Sequence, residues 1–290
     1  AIYVSDNKAT LTISAKNGGS WVIDDIIDGY YENISGTFYR YKVDVKGDLT
    51  SFVKLTNEIK NASVNIQGIN AYIAPETFRD SAVMIGDNAM VSLSDNEIGT
   101  YNFWALSTDL NSNAYFEFDV NETSADKVVN MNRLWDGIEL SHGEIQISYL
   151  NFLNGIPVEG GKYKLLESAS AALTLRLVEG QQYSYTNIIP TINWQDPIYS
   201  YKYDLTLENS MGEEWGDFYD TVKVSNVGEA VREDNLNALN VYKTTYVRSY
   251  NFDSASDVLD IFINTGKTAN LSTLYINGVT DGNGNYSTIN

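Results

Sequence analysis

The chain has 290 residues, of which 38 are acidic and 19 basic, giving a formal charge of −19, and it contains no cysteine. Such a balance leaves no basic surface of the size a nucleic-acid backbone requires, and without cysteine there are neither disulfides nor thiolate metal sites. No run of 18 apolar residues occurs, so no segment reads as a transmembrane helix.

The first sixteen residues, AIYVSDNKATLTISAK, are β-branched, free of proline and alternating from Ala9 to Ala15, with Leu11 and Ile13 on one face. They read as a first strand or as a segment able to add to an open sheet edge, with Ile2, Val4, Leu11 and Ile13 filling pockets. The chain begins at Ala1, which suits loss of either a signal peptide or an initiator Met. Next comes WVIDDIIDG, which packs Asp24, Asp25 and Asp28 closely enough to offer hard oxygen ligands to a calcium ion. Period-two alternation then recurs at Tyr39-Tyr41-Val43-Val45, Phe116-Phe118-Val120, Ile145-Ile147-Tyr149, Leu173-Leu175-Leu177, Tyr201-Tyr203-Leu205-Leu207, Val222-Val224 and Leu259-Ile261-Ile263. One wet face on each strand predicts antiparallel sheets, and the strands are too polar for the centre of a parallel sheet covered on both faces.

Helical signals are confined to 124–135, with Val128, Met131 and Trp135 at helical spacing, and to 229–239. The expected fold is therefore all-β: an antiparallel β-sandwich of jelly-roll or Ig-like type, one or two of them, with one or two short inserted helices. The organisation expected is a donor or first strand at 1–16, a sandwich region at 17–155, and a second sandwich or continuation at 156–290. Three segments (42–55, 221–231 and 259–278) share a layout of strand, glycine-containing polar turn and second apolar stretch. Each reads as a turn that returns the chain or carries it to another sheet.

Catalytic constellations fail on inspection. The run NTGKT at 264–268 has Ile261 where a phosphate loop needs its first glycine, and no helix pattern follows. His142 is the sole histidine, and its neighbours Asp136, Glu139 and Ser141 are close only in sequence. Acids beside aromatics, at Glu213-Glu214-Trp215-Gly216-Asp217 and at Trp194-Gln195-Asp196, suit a sugar cleft but also an ordinary anchored loop. No enzyme is expected. A second calcium candidate is Asp281-Gly-Asn283-Gly-Asn285, which places oxygens as an EF-type loop does, although Tyr286 replaces the usual glycine. Acceptor patterns for N-glycosylation occur at Asn33, Asn61, Asn121, Asn270 and Asn285.

The stretch LDIFINTGKTANLSTLYINGV at 259–279 resembles β-domain segments of secreted archaeal surface proteins and filament subunits. ATLTISA followed by KVDVKGDLTSFVKL resembles, more faintly, biofilm-fibre subunits of the TasA-like kind. The apolar N-terminal helix of archaeal pilins and flagellins is missing. The resemblance implies an extracellular structural subunit that forms a homopolymer by donor-strand complementation, one subunit lending its N-terminal segment to the next. A virion capsid or tail protein and a non-catalytic carbohydrate-binding protein are the alternatives.

Overall fold

The computed structural model describes residues 2–3, 9–29, 32–34, 37–132, 141–153, 156–178, 183–187, 199–212, 217–229, 231–232, 247–253 and 258–263. Every regular element among them is a strand. Thr10–Ala15, Tyr41–Gly47, Ala62–Gln67, Ala82–Gly86 and Ala105–Thr108 form a five-stranded sheet in which every pairing is parallel. The register stacks like on like: Leu11, Val43, Val64, Val83 and Leu106 form one column, and Ile13, Val45, Ile66, Ile85 and Thr108 the next.

A second, seven-stranded sheet repeats the arrangement. Ser20–Ile23, Phe52–Leu55, Asn70–Ile73, Ala89–Ser92, Ala114–Val120, Gly143–Phe152 and Leu173–Leu177 are again all parallel. The third face begins with Ile2–Tyr3, Ile27–Asp28 and Ile59–Lys60, and resumes with Thr100–Phe103, Lys127–Asn130 and Lys162–Ser168. Between these two sets, Ile59 and Asn61 donate their amides to the carbonyls of Thr77 and Arg79, and Phe78 stacks on Phe103 with ring centroids 5.5 Å apart. The chain thus visits three faces in turn and repeats, one coil lying on the last. This is a parallel β-helix.

The expected antiparallel sandwich is overturned by these parallel registers. The alternation was real, since Tyr41, Val43 and Val45 are buried between the more exposed Lys42, Asp44 and Lys46. In a solenoid, however, each parallel sheet needs only its inner face covered, because the other two sheets of the coil cover it. Polar outward positions are therefore compatible with parallel pairing. Within the second sheet Gly143–Phe152 also pairs with Leu173–Leu177.

Corners explain the abundance of Asn and Asp. Asn17, Asn61, Asp80, Asp87, Asn88, Asn96 and Asn132 all have positive φ, the conformation these residues and glycine tolerate best. At the corner after Tyr41–Gly47, the Asp48 carboxylate accepts from the Thr50 and Ser51 hydroxyls and from the Thr50 and Asn17 amides. Those bonds, the Thr50 hydroxyl foremost, hold it well below the usual carboxylate range. Here the turn expected within 42–55 does carry the chain to another sheet. Gly143, at φ +108, lies where a Cβ would come within 2.0 Å of Thr108 Oγ1.

No helix occurs among the described residues, and so none long and apolar enough to cross a membrane. The helix expected at 124–135 is corrected by a strand, Lys127–Asn130, whose Val128 lies inside the coil. The apolar spacing counted as helical belongs to one short strand and the segment after it. Of the helix expected at 229–239, Val231–Arg232 is a strand paired with Tyr199–Ser200.

Apart from the small hairpin of Glu32–Ile34 with Thr37–Tyr39 and a bridge between Val120 and Ala125, antiparallel pairing among the described residues belongs to the C-terminal part. Lys162–Ser168 pairs with Phe218–Val227, which pairs with Tyr199–Met211, which in turn pairs with Tyr183–Asn187. Val247–Asp253 and Val258–Ile263 form a separate hairpin. The interior changes with it, from aliphatic columns to aromatic contacts: Phe152 meets Tyr163 and Tyr203 edge-on, and Tyr183 stacks on Tyr203.

Candidate functional site

The two ends of the solenoid differ. At the first coil, Thr10–Ala15 and Ser20–Ile23 are the outermost strands of their sheets among the described residues, each with one neighbour there. Trp21 is in register with the buried Val53, so it occupies an inward position, yet it is 53% exposed, and among the described residues no further strand pairs beyond it. Val22, on the other face, is 64% exposed. Leu11, Ile13 and Ile23 are only half-buried, while their column neighbours Val43, Val45 and Leu55 are fully enclosed. Ile2, paired with Ile27, is 41% exposed. An edge of unpaired main-chain groups beside uncovered Trp, Val and Ile is a template for another strand.

The opposite end of the second sheet is closed. Asp220, only 4% exposed, sits on Phe218–Val227 and accepts the amide of Leu175 from the last parallel strand at 2.6 Å. Its other oxygen accepts from Asn209 Nδ2. Burial raises the pKa of this carboxyl, and the two hydrogen bonds oppose that rise. The side chain covers an edge amide that would otherwise invite pairing.

A second polar cluster lies at the corner between the second and third faces. Asp119 and Asp126 are both fully buried. Asp119 accepts from the Ser94 hydroxyl, Asn151 Nδ2 and the Asn96 amide, and Asp126 accepts from the amides of Gly99 and Asp119. Burial is the main cause that pushes Asp119 up to about 6 and Asp126 up to about 9, the charge of Asp119 adding to the latter. Asp95 accepts the Tyr72 hydroxyl nearby, and burial lifts both Tyr72 and Tyr101 above the ordinary phenol range. These carboxylates tie loops of successive coils together. In AYFEFDV, alternation assigns Asp119 to the wet face, and the loop 121–126 that folds over it left no sequence signal.

Leu11 and Ile13 lie in a strand paired in parallel with the same chain's Tyr41–Gly47, and Val4 lies outside the described residues. Asp24 accepts the Thr56 hydroxyl and holds Asn57 through its carbonyl, Asp28 accepts Asn61 Nδ2 and pairs with Lys60 at 3.5 Å, and Asp25 lies at the same corner. Two of the three clustered acids thus bind the next coil, and no group of three or more His, Asp or Glu side chains shares a cation position among the described residues. Asp281, Asn283 and Asn285, together with Asn270, lie outside the described residues.

Of the remaining glycosylation candidates, Asn33 is in the strand Glu32–Ile34, Asn61 is engaged by Asp28, and Asn121 accepts the amides of Thr123 and Ser124 in a turn. Ser141 is buried and donates to Asn130, while His142 accepts the Thr108 amide through its carbonyl. Asp136, Glu139, Trp194, Asp196, Glu213, Glu214, Trp215, the turn at Gly266 and most of 229–239 also lie outside the described residues. The open edge itself was legible in one respect. Trp21-Val22-Ile23 is apolar without alternation, the mark of a strand with both faces to cover.

No protein-family model matches this chain, and no curated protein does either.

Proposed function

We propose that the chain is a non-catalytic structural subunit of an extracellular filament or surface layer, which associates through its open first coil. The observation that carries this reading is the uncovered edge formed by Thr10–Ala15 and Ser20–Ile23, with Trp21 and Val22 more than half exposed. A strand from a second copy laid along this edge would satisfy main-chain groups, while alternate side chains meeting Leu11, Ile13 and Trp21 would set register. In this reading Thr10–Ala15 receives a strand from the neighbour, since it is already paired within its own coil. The high acidity opposes lateral bundling and leaves end association as the favoured contact.

The test pairs negative-stain electron microscopy with sedimentation velocity on the full chain and on Val22→Lys, a charge placed on an edge strand where it discourages pairing. Association by the full chain and monomers of Val22→Lys with unchanged circular dichroism are expected. Monomers in both samples at high concentration would remove the reading.

A further inference from the structure

Thr10–Ala15 and Ser20–Ile23 are joined through a turn, Lys16-Asn17-Gly18-Gly19, closed by the Gly19 amide donating to the Lys16 carbonyl at 3.0 Å. Its two central residues have φ of 56° and 73°, the mirror-image turn that Asn-Gly adopts most readily. The sequence holds four Asn-Gly pairs, and this is the one among the described residues. Asn17 and Gly18 are both exposed, and a Cβ built on Gly18 would meet nothing within 4 Å. The Asn17 amide donates to Asp48 Oδ2 at 3.0 Å. Neither the Asn17 carboxamide nor the Gly18 amide forms a hydrogen bond among the described residues.

We propose that Asn17 is a self-modification site: it deamidates through the Gly18 amide, and the product loosens the first coil. Base takes the Gly18 amide proton, and the nitrogen attacks Asn17 Cγ. The Cγ–Nδ2 bond breaks, and ammonia leaves after taking a proton back from solvent. The five-membered imide then adds water at either carbonyl, which gives aspartate or isoaspartate at position 17. Water enters, ammonia leaves, and nothing is oxidised or reduced. The nucleophile is held within the same residue pair, and glycine puts no side chain in its path. Ring closure imposes its own ψ on Asn17, so the turn must open first. The corner lies in the outermost coil of the described residues, where local opening costs least.

Either product puts a carboxylate on the residue whose own amide Asp48 holds. Asp48 is the clamp of this corner, accepting also from Thr50 and Ser51, and like charges a few ångströms apart repel. Isoaspartate also lengthens the backbone by a methylene, so the turn no longer matches the two strands it joins. Those strands form the open edge, and a weakened association therefore rests on the reading of that edge given above. The chemistry itself does not.

The test is peptide mass spectrometry on the full chain held in mildly alkaline heavy-oxygen water, folded and in urea, with fragmentation that separates aspartate from isoaspartate. Asn17 is expected to convert to both isomers, each with one heavy oxygen, and in the folded chain within about tenfold of its rate in urea. Asp48→Ala releases the Asn17 amide and should bring the folded rate closer to the urea rate, a gain with its own direction. In dilute Asn17→Asp, hydrogen-exchange protection of the amides at position 17 and Thr50 should fall about two- to fivefold, as an exposed like-charge contact gives. Conversion in urea alone, aspartate without isoaspartate, or unchanged protection in Asn17→Asp would each overturn the proposal. Every readout is taken on dilute protein, so it stands or falls apart from the association reading.

Discussion

The N-terminal coils and the C-terminal cap are built from strands of the same sequence grammar, yet they pair in opposite senses. Val43, Val64 and Val83 stack in parallel columns, whereas Leu205, Val222 and Val224 belong to antiparallel pairs. What differs is the connection. In the coils, corners of Asn, Asp and Gly turn the chain onto a new face, so it returns one coil later in the same direction. In the cap, Tyr199–Met211 and Phe218–Val227 follow one another across a short link and reverse. Antiparallel reversal is what closes one end, since it places Asp220 over the amide of Leu175. Among the described residues the first coil has no such cover. A molecule with one closed and one open end has a direction, and that direction is what the proposed association uses.

Substitutions sharpen the contrast. Phe152 touches both Tyr163 and Tyr203 and so joins coil to cap. Phe152→Ala should cost about 3–5 kcal/mol, against about 2 kcal/mol for Val64→Ala in a single aliphatic column, as thermal or urea unfolding will measure. Equal losses would mean that the aromatic joint is no stronger than any one column. Gly143→Ala forces a Cβ against Thr108 at a positive φ and should cost about 1–3 kcal/mol. Asp220→Ala leaves the Leu175 amide and Asn209 without their acceptor and should cost about 1–3 kcal/mol while also uncapping the sheet. That variant would be expected to associate at its C-terminal end as well, and a change in stability without new association would limit Asp220 to a structural role.

The carboxylates also predict a pH dependence. Asp119 and Asp126 have folded pKa values raised from 3.8 to about 6 and about 9. Above the unfolded value the native state keeps protons that the unfolded chain has lost, so raising the pH removes stability. Unfolding midpoints should therefore fall as pH rises from about 4 through these two values. Asp126→Asn should flatten the upper part of that fall. A midpoint that rises across the same range would show that these carboxyls are ionised without penalty.

Much of the inward face was legible from sequence, because alternation names the buried set whatever the direction of the neighbouring strand. Leu11, Ile13, Tyr41, Val43, Val45, Phe116, Phe118, Ile145 and Leu173 all face the interior. Tyr149 is where the pattern slips: the register shifts after Phe116, and Leu150 and Phe152 become the buried pair. Direction was not legible, because a period of two contains no information about it. The polar corners at Asp48, Gly68 and Asp87-Asn88 held that information, since they recur between strands at nearly constant intervals after a longer first one from Asn17-Gly18. The open edge could be read only in part, from the unbroken apolar run at Trp21-Val22-Ile23. The covering of Asp119 could not be read at all.

Hydrogen exchange followed by mass spectrometry, carried out across a range of protein concentrations, tests the difference between the ends most directly. Amides of Thr10–Ala15 and Ser20–Ile23 should exchange quickly in dilute protein and become protected as concentration rises, while Leu173–Leu177 should be protected throughout. Protection at the first coil that does not change with concentration, or fraying at both ends alike, would contradict a molecule with one open and one closed end.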